Sequence, residues 1–321
     1  MEKRLNELKN KIIKKKILPV ILGPTASGKT ALALNLSKHL EIEIISADSR
    51  QIFKFLDIGT AKPTNIELSR VKHHFIDILN PNEYYSAGLF EKQSLICINE
   101  IFNKNKIPVI VGGSGLYIDA ICNGFFNEYE NIDFSIERTK ILHKIEENGV
   151  DNLYEELAKI DIESAELYND KNPRRIIRAL EFYYTTGILF SEAKKVIPIK
   201  RNFELIYFGI KHDREFLYKK INNRVEQMWA DGLLKETKKI LEKGYSADLN
   251  SLNTVGYKEC ILYLNNQLTE LEAINQIKQN TRRYAKRQMT WFNKIDNVNW
   301  LDFTNQNLVQ EILKILNINY D

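Results

Sequence analysis

The stretch Gly23-Pro24-Thr25-Ala26-Ser27-Gly28-Lys29-Thr30 decides the fold class of this 321-residue chain. It matches the pattern G-x-x-x-x-G-K-[ST], in which glycines let backbone N–H groups turn toward phosphate oxygens at the start of a helix. The context fits, because the apolar run Ile17–Leu22 precedes it as a predicted strand and Thr30–Leu40 follows as a predicted helix. All eight residues are therefore predicted to bind phosphate, with Lys29 as a point charge and Thr30 as a hydroxyl ligand of Mg²⁺.

Strands and helices alternate around this motif. Further strands are predicted at Glu43–Ala47, Ile107–Val111 and Phe203–Ile210, and helices at Ser86–Asn103, Arg214–Asp231, Leu233–Lys243, Val255–Leu264 and Glu270–Asn293. Such alternation predicts an α/β fold, a P-loop NTPase-like parallel sheet with right-handed crossovers. We expect residues 1–118 to form the first part of this core and residues 119–200, which lack strand patterns, a helical insertion. Residues 201–321 would complete the core and add basic C-terminal helices.

Composition excludes several classes of protein. Cys97, Cys122 and Cys260 lie far apart, so a disulfide framework or a zinc ribbon is not expected and a reducing cytoplasm fits. The adjacent His73 and His74 suit a structural role better than a metal site. No apolar run approaches the ~20 residues that cross a bilayer. The basic prefix, residues 1–16, is predicted to be a solvated amphipathic helix.

Asp48 follows the predicted strand Glu43–Ala47, and ligands bind at the carboxyl ends of the strands in open α/β sheets. Its carboxylate could take a proton from a nucleophile, or it could cap a helix N-terminus. The strand Ile107–Val111 runs into glycines and serine, without the acid that NTP-hydrolysing motors use to help hold Mg²⁺. Phosphate binding alone leaves a kinase and other diphosphate chemistry open.

Two later segments concentrate positive charge. Residues 171–178 open a predicted helix with Pro173 near its start. Residues 273–295 contain no acid, and their cations are Lys278, Arg282, Arg283, Lys286, Arg287 and Lys294. Tyr284 and Trp291 are interleaved with them, and aromatic side chains can stack on unpaired bases. This second segment indicates a nucleic-acid partner.

Together the segments GPTASGKT, ISADSRQIF, DIGTAKP, IPVIVGGSGLY, NPRRIIRALE, TVGYKE and AKRQMTWF resemble the tRNA dimethylallyltransferase (isopentenyl-tRNA transferase) family in order and spacing. The likeness covers residues 17 to 300 and is closest to the bacterial form. It implies transfer of a dimethylallyl group from dimethylallyl diphosphate to the N6 amine of the adenosine 3′ of the anticodon, in tRNAs that read codons beginning with U. It also implies Mg²⁺ and a tRNA-facing insertion. We further expect no membrane association and a monomer.

The resemblance assigns roles to individual residues. Asp48 matches the general base, Thr25 lies on the substrate side of the loop, and Arg224 matches an arginine that steadies the departing diphosphate. The positions implied to contact tRNA are Asp48, Ser49, Arg50, Gln51, Ser114, Arg138, Arg174, Arg175, Ile176, Ile177, Arg178, Asn253, Thr254, Val255, Gly256, Tyr257, Lys258, Arg282, Arg283, Lys286, Arg287, Gln288, Met289, Thr290, Trp291, Phe292 and Asn293.

Some positions depart from the family pattern. Arg50 stands where an uncharged residue is usual, Phe53 where tyrosine is frequent, Ser114 where threonine is common and Arg174 where glutamine is usual. Three alternatives stay open: a small-molecule or nucleotide kinase, an RNA-binding module with a vestigial P-loop, and a cousin that prenylates free adenine nucleotides. The long insertion and the basic C-terminal helix favour a macromolecular acceptor over the last of these.

Overall fold

The computed structural model of the chain describes residues 2–124, 132–195, 201–304 and 307–318. They form two compact units. The first comprises Met1–Cys122 and Arg201–Asp321, and the second is Asn123–Lys200. The second unit lies within residues 119–200, the stretch for which the sequence predicts a helical insertion.

Six parallel strands form the sheet of the first unit, in the order β3-β2-β4-β1-β5-β6. Their bounds are β1 (Ile17–Leu22), β2 (Ile42–Ala47), β3 (His73–His74), β4 (Ile107–Gly112), β5 (Glu204–Lys211) and β6 (Asn299–Asp302). Strands β1, β2 and β4 are buried along their whole length, as expected for a parallel sheet covered on both faces. The parallel α/β core is confirmed, but the two short edge strands were not predicted.

The helices of the described residues are α1 (Glu2–Lys14), α2 (Lys29–Leu36), α3 (Asn65–Arg70), α4 (Ala87–Asn103), α5 (Gly115–Asn123), α6 (Ser135–Ile160), α7 (Ile162–Leu167), α8 (Pro173–Thr186), α9 (Phe190–Ala193), α10 (Arg214–Ala230), α11 (Leu233–Glu242), α12 (Tyr257–Leu264), α13 (Glu270–Phe292) and α14 (Leu308–Ile318). None of the helices within these described ranges is long and apolar enough to span a lipid bilayer.

The basic N-terminal helix α1 is not solvated as predicted. Its Leu8 and Ile12 are buried in the main hydrophobic core, together with Ile312 and Leu316 of α14 and residues of the central strands. Lys3 and Lys14 are exposed on its outer side, and the apolar stripe that sequence spacing indicated faces the core. The burial of α1 depends on α14, the C-terminal helix that was not predicted and whose residues belong to the same cluster.

The carboxyl ends of β1, β2 and β4 meet at one edge of the sheet, where the register pairs Ala47 with Gly112 and Gly112 with Leu22. A Cβ at Gly112 would lie 2.2 Å from the Ala47 carbonyl oxygen, so only glycine allows β4 to end this close to β2. This edge carries the loops that follow each strand, including the predicted phosphate loop.

Helices α10 to α13 share a second hydrophobic cluster with the loop that follows β2. It buries Ile52 and Leu56 of that loop against Leu233 of α11, Tyr257 of α12 and Ile277 of α13. The C-terminal helices are therefore fixed to a loop at the functional edge of the sheet.

The second unit has its own core, which buries Ile141 and Leu157 of α6 against Ile176 and Phe182 of α8. Helix α6 is kinked at Gly149, whose φ of 76° is left-handed. Pro173 occupies the first turn of α8, and Asn172 caps that helix by accepting a hydrogen bond from the Arg174 N–H at 3.1 Å.

Candidate active site

A cleft opens at the carboxyl edge of the sheet in the first unit. Its wall comes from segments far apart in sequence: the phosphate loop, the ends of β2 and β4, residues 60–63, β3, α10 and α13. The lining residues are Thr25, Ala26, Lys29, Thr30, Ile44, Ser46, Asp48, Gln51, Thr60, Pro63, His73, Val111, Gly112, Gly113, Arg224, Tyr284 and Gln288. All three residues predicted to be catalytic, Thr25, Asp48 and Arg224, belong to this wall.

The phosphate loop presents the uncapped start of α2 to the cleft. Gly28 adopts φ 97° at the N-cap, and no side chain caps the helix there. Since the first N–H groups of a helix lack intrahelical acceptors, they are available to an anion. A Cβ at Gly28 would lie 2.8 Å from the Phe303 ring, so the loop is packed from behind as well.

His212 also supports the loop from this rear side. Its Nε2 donates to the Ser27 carbonyl oxygen at 2.7 Å, and its ring packs on Phe303 with centroids 4.5 Å apart. Burial lowers the pKa of His212, so a neutral donor at Nε2 fits this contact. Neither His212 nor Phe303 was predicted from the sequence, because no local motif marks a residue that packs behind a loop.

Two cations and one carboxylate converge in the cleft. Burial lowers the pKa of Lys29 to about 7, while Asp48 acts to raise it and Arg224 to lower it. Lys29 Nζ donates to the Pro24 carbonyl oxygen at 2.8 Å. Burial also lowers the pKa of Arg224, and Asp48 opposes this shift. The site therefore concentrates positive charge that an anionic ligand would stabilise.

The Asp48 carboxylate both caps a turn and lines the cleft. Its Oδ1 accepts hydrogen bonds from the Arg50 N–H at 2.9 Å and the Gln51 N–H at 3.3 Å, which caps a turn and not a helix. The same side chain lines the cleft opposite Lys29 and Arg224. Its second oxygen, Oδ2, is not used in these two bonds and remains available for proton transfer.

The GTAKP segment, residues 59–63, forms part of the cleft wall and is held by buried polar contacts. The Gln51 Nε2 donates to the carbonyl oxygens of Thr60 and Ala61, each at 3.2 Å. The Lys62 side chain is only 5% exposed, and its Nζ donates to the Phe53 carbonyl oxygen at 2.6 Å and pairs with Asp57 and Asp77. Lys62 therefore forms structural ion pairs and does not line the cleft.

Glu236 of α11 holds the same segment from below. Its carboxylate accepts from the N–H groups of Asp57 at 3.2 Å, Ile58 at 2.9 Å and Gly59 at 3.2 Å, and from the Tyr257 hydroxyl at 2.6 Å. A Cβ at Gly59 would lie 2.4 Å from the Tyr257 ring. The GTAKP and TVGYKE motifs therefore meet where Gly59 packs on Tyr257 and both residues contact Glu236, an arrangement that neither motif reveals alone.

Ser114 and Tyr284 connect β4 and α13 to the Asp48 turn. Ser114 Oγ accepts from the Ser49 N–H at 3.0 Å. Burial, with a further contribution from Asp48, raises the pKa of Tyr284 to about 12, so its hydroxyl stays protonated in the cleft. Tyr284 was predicted as a stacking residue of a basic helix, and the structure places it beside the candidate base instead.

His73 lies deeper in the cleft, beside Ile44 in the β2–β3 register. Its Nδ1 donates to the Val71 carbonyl oxygen at 2.8 Å, which leaves Nε2 as an acceptor, and burial lowers the pKa of the ring. His74 instead contacts the buried Glu43 at 2.8 Å. The structural role predicted for the pair describes His74, whereas His73 also belongs to the cleft wall.

The oxygen atoms of the cleft wall fit a Mg²⁺ ion that is coordinated mainly by a bound phosphate ligand. Among the residues that the structure describes, no three His, Cys, Asp or Glu side chains cluster as a metal site. Thr30 supplies a hydroxyl beside the phosphate loop, with Asp48 in the same wall. Mg²⁺ commonly takes one or two protein oxygens and completes its shell with phosphate and water, so this arrangement fits.

The predicted tRNA contacts divide by burial. Exposed side chains are those of Arg174, Arg175, Asn253, Lys258, Arg283, Lys286, Arg287, Thr290, Trp291 and Asn293, and partly buried ones those of Asp48, Ser49, Arg50, Gln51, Ser114, Arg138, Ile177, Arg178, Thr254, Val255, Arg282 and Met289. The remaining positions, Ile176, Gly256, Tyr257, Gln288 and Phe292, are buried. Gln288 nevertheless lines the cleft, whereas the buried side chains of Ile176, Tyr257 and Phe292 belong to the protein interior.

Several of the predicted cations have partners within the protein. Lys278 Nζ pairs with Glu226 at 2.6 Å, and Arg282 donates to Asn222 at 2.6 Å, so both connect α13 to α10. In the second unit, the fully buried Glu181 accepts from Arg138 at 2.7 Å and from Arg178 at 2.8 Å. The exposed cations that carry the RNA prediction are therefore Arg283, Lys286 and Arg287 on the outer face of α13, and Lys294 just beyond its end.

The chain matches known proteins over most of its length. The profile of the family described as "IPP transferase" matches residues 51–295. The chain is 40% identical over 308 residues to a tRNA dimethylallyltransferase of Pelotomaculum thermopropionicum, covering 94% of this chain and 96% of the relative. It is 45% identical over 284 residues to that of Christiangramia forsetii, covering 88% and 92%.

Solved structures give the same result for the fold. The full-length tRNA isopentenylpyrophosphate transferase of Bacillus halodurans superposes with a TM-score of 0.69 at 38% identity, covering 94% of this chain and 96% of that one. A eukaryotic dimethylallyltransferase acting on tRNA gives a TM-score of 0.79 at 28% identity, covering 94% and 78%.

Proposed function

This chain belongs to the IPP transferase family, and from that membership we propose that it is a tRNA dimethylallyltransferase. It transfers a dimethylallyl group from dimethylallyl diphosphate to the N6 amine of the adenosine 3′-adjacent to the anticodon, in tRNAs that read codons beginning with U. The observation that carries this proposal is that Lys29, Arg224 and Asp48 line the same cleft beside the phosphate loop.

The diphosphate binds at the loop, where the free N–H groups at the start of α2 and the Lys29 ammonium meet its oxygens. Negative charge grows on the diphosphate as its bond to the allylic carbon breaks. Lys29 and Arg224 already lie where this charge develops, so they stabilise the transition state more than they stabilise the bound donor. The partial burial of both cations strengthens the effect, since a low local dielectric increases each interaction.

Asp48 acts as the general base. The N6 lone pair forms the new C–N bond to the allylic carbon, the C–O bond breaks with its electron pair leaving on the diphosphate, and the N6 proton passes to Asp48. The Arg50 and Gln51 N–H groups hold the carboxylate through Oδ1, which leaves Oδ2 to take the proton. The Tyr284 hydroxyl remains protonated nearby and serves as a neutral hydrogen-bond group.

The target base leaves the anticodon-loop stack to enter the cleft, which costs a few kcal/mol and is least costly in a single-stranded loop. Arg283, Lys286 and Arg287 on the exposed face of α13 supply contacts for the RNA backbone. Trp291, 40% exposed at the end of the same helix, offers a surface for stacking. Arg174 and Arg175 at the start of α8 are exposed cations of the second unit.

Thr30 would hold Mg²⁺ together with the diphosphate, and the ion would supply further positive charge to the leaving group when bound. The protein residues then have three tasks: Thr30 and the loop orient the donor, Lys29 and Arg224 neutralise it, and Asp48 removes the proton. Burial of the cleft keeps water from the electrophilic allylic carbon.

The decisive test is to incubate the purified protein with dimethylallyl diphosphate, Mg²⁺ and unmodified tRNA, and to digest the RNA for mass spectrometry. We expect a prenylated adenosine next to the anticodon and release of one pyrophosphate per modified base. Parallel reactions with ATP separate the kinase alternative, since consumption of ATP without prenylation would contradict the proposal. Free adenosine monophosphate in place of tRNA tests whether a small acceptor suffices.

A further inference from the structure

Gln288 of α13 connects two parts of the cleft wall that come from neighbouring strands. Its Oε1 accepts a hydrogen bond from the Thr25 N–H at 2.8 Å, and its Nε2 donates to the Gly113 carbonyl oxygen at 2.8 Å. The side chain is only 6% exposed. Both ends of the amide are therefore committed inside the protein, one to the phosphate loop after β1 and one to the end of β4.

The surrounding backbone shows that this connection is closely fitted. A Cβ at Gly113 would lie 2.3 Å from Gln288 Nε2, so the glycine is needed for the amide to reach its partner. Ala26, the residue after Thr25, has a left-handed φ of 62°, which is unfavourable for a residue with a side chain. Such a conformation persists only where neighbouring contacts hold it. The Gln288–Thr25 bond is one of those contacts.

We propose that Gln288 is a positioning residue that holds the phosphate loop in its ligand-binding conformation and thereby sets the affinity for the diphosphate of the donor. This inference rests on the proposed function for the identity of the donor. It does not need that function for the binding step, because the loop would take inorganic pyrophosphate in the same way. The residue acts through the Thr25 and Gly113 backbone and touches no reacting atom.

The position of Gln288 on α13 makes the inference specific. Lys286 and Arg287, the residues before it, are exposed on the outer face of the helix, whereas Gln288 and Tyr284 point into the cleft. One rigid helix thus carries the proposed RNA contacts on one side and the loop contact on the other. Loss of the loop contact should weaken donor binding and leave the outer face, and with it RNA binding, intact.

Replacement of Gln288 by Met keeps the length of the side chain and removes both hydrogen bonds. We expect the KM for dimethylallyl diphosphate and the Kd for inorganic pyrophosphate, measured by calorimetry, to rise by at least about fivefold. The KM for tRNA should change by less than about twofold. Gln279→Met on the exposed face of the same helix is the matched control and should leave all of these constants as in the unaltered protein.

Two further variants keep the test decisive where Gln288→Met is poorly stable. Gln288→Glu retains an acceptor for the Thr25 N–H, but its negative charge faces both the Gly113 carbonyl and the diphosphate site, so pyrophosphate affinity should stay below that of the unaltered protein. Gly113→Ala leaves Gln288 in place and displaces its amide by steric contact, and it should raise the same two constants.

A purely structural role predicts a different pattern. If Gln288→Met and Gly113→Ala lower the melting temperature but leave pyrophosphate affinity unchanged, the positioning role is overturned. Failure of the unaltered protein to prenylate tRNA, with pyrophosphate affinity still dependent on Gln288, would instead contradict only the proposed function.

Discussion

Lys29 is a cation whose charge changes near neutral pH. Burial lowers its pKa to about 7, far below the ordinary value of 10.5, so the ammonium predominates below pH 7 and the neutral amine above it. Only the ammonium attracts a diphosphate. Diphosphate affinity should therefore be highest at about pH 6 and decline above pH 7. The decline should be up to about tenfold per pH unit, until the pH exceeds the raised pKa that Lys29 has when diphosphate is bound.

Calorimetric titration with pyrophosphate from about pH 6 to 9 checks this expectation. Lys29→Arg is the control, because guanidinium stays charged across that range while the ionisation of pyrophosphate itself is common to both proteins. Parallel pH profiles for the two proteins would mean that Lys29 is charged throughout.

Asp48→Asn separates the two roles of this residue. Asparagine keeps an Oδ1 acceptor for the Arg50 and Gln51 N–H groups but cannot take a proton, so kcat should fall by about 10²- to 10⁴-fold. The tRNA Kd and the melting temperature should stay close to those of the unaltered protein. Near-normal turnover in single-turnover assays would reduce Asp48 to the capping of its turn.

The residues of the site were predictable where a local pattern encodes them. The phosphate loop carries its own signature, and Asp48 follows a recognisable strand. His73, Tyr284 and Gln288 could not be placed in the cleft, because their orientation depends on pairing and packing with distant segments. The two-residue strand β3 is too short to produce a periodic pattern, and α13 reads as uniformly polar around the positions where it enters the cleft.

Helix α13 should contribute to tRNA binding through its exposed cations. Replacing both Arg283 and Arg287 by Ala should weaken binding and reduce the slope of log K against log salt by about 2, since each cation releases about one counterion. Fluorescence anisotropy at several salt concentrations measures both effects. The double change Lys238→Ala and Lys239→Ala on α11 removes the same charge and serves as control; equal slopes in the two double variants would refute the assignment.

Helix α11 fixes the GTAKP segment through Glu236, whose carboxylate is surrounded by three N–H donors and the Tyr257 hydroxyl. Glu236→Gln turns one acceptor into a donor that faces other donors, which should cost about 1–3 kcal/mol of unfolding free energy. Urea denaturation provides the measurement. Glu242→Gln, exposed on the same helix, should cost less than about 0.5 kcal/mol, and an equal loss in both variants would contradict this account.

Most of the longer helices and strands agree with their predicted positions because their hydrophobic periodicity is strong. Strand β6 and helix α14 were not predicted. The short run Asn299–Asp302 that forms β6 has mixed polarity, and its pairing with β5 depends on tertiary contacts. The order of the strands is likewise set by packing across the sheet, and sequence periodicity contains no information about which strands are neighbours.

The core of the first unit should depend on its N-terminal helix. Ile12 is fully buried among α14 and the central strands, so Ile12→Ala should lower the unfolding free energy by about 2–5 kcal/mol. The exposed Lys14→Ala on the same helix should change it by less than about 0.5 kcal/mol. Comparable stabilities of the two variants in urea would show that α1 is dispensable.

The burial of the three cysteines matters because the proposed donor is an electrophile. Cys97, Cys122 and Cys260 are all buried, and burial raises their pKa values to about 11, 12 and 12. An allylic diphosphate is an alkylating agent, and thiolates are the soft nucleophiles that it would modify most readily. Because these three sulfurs stay protonated and shielded from the cleft, the allylic donor does not alkylate the enzyme that binds it.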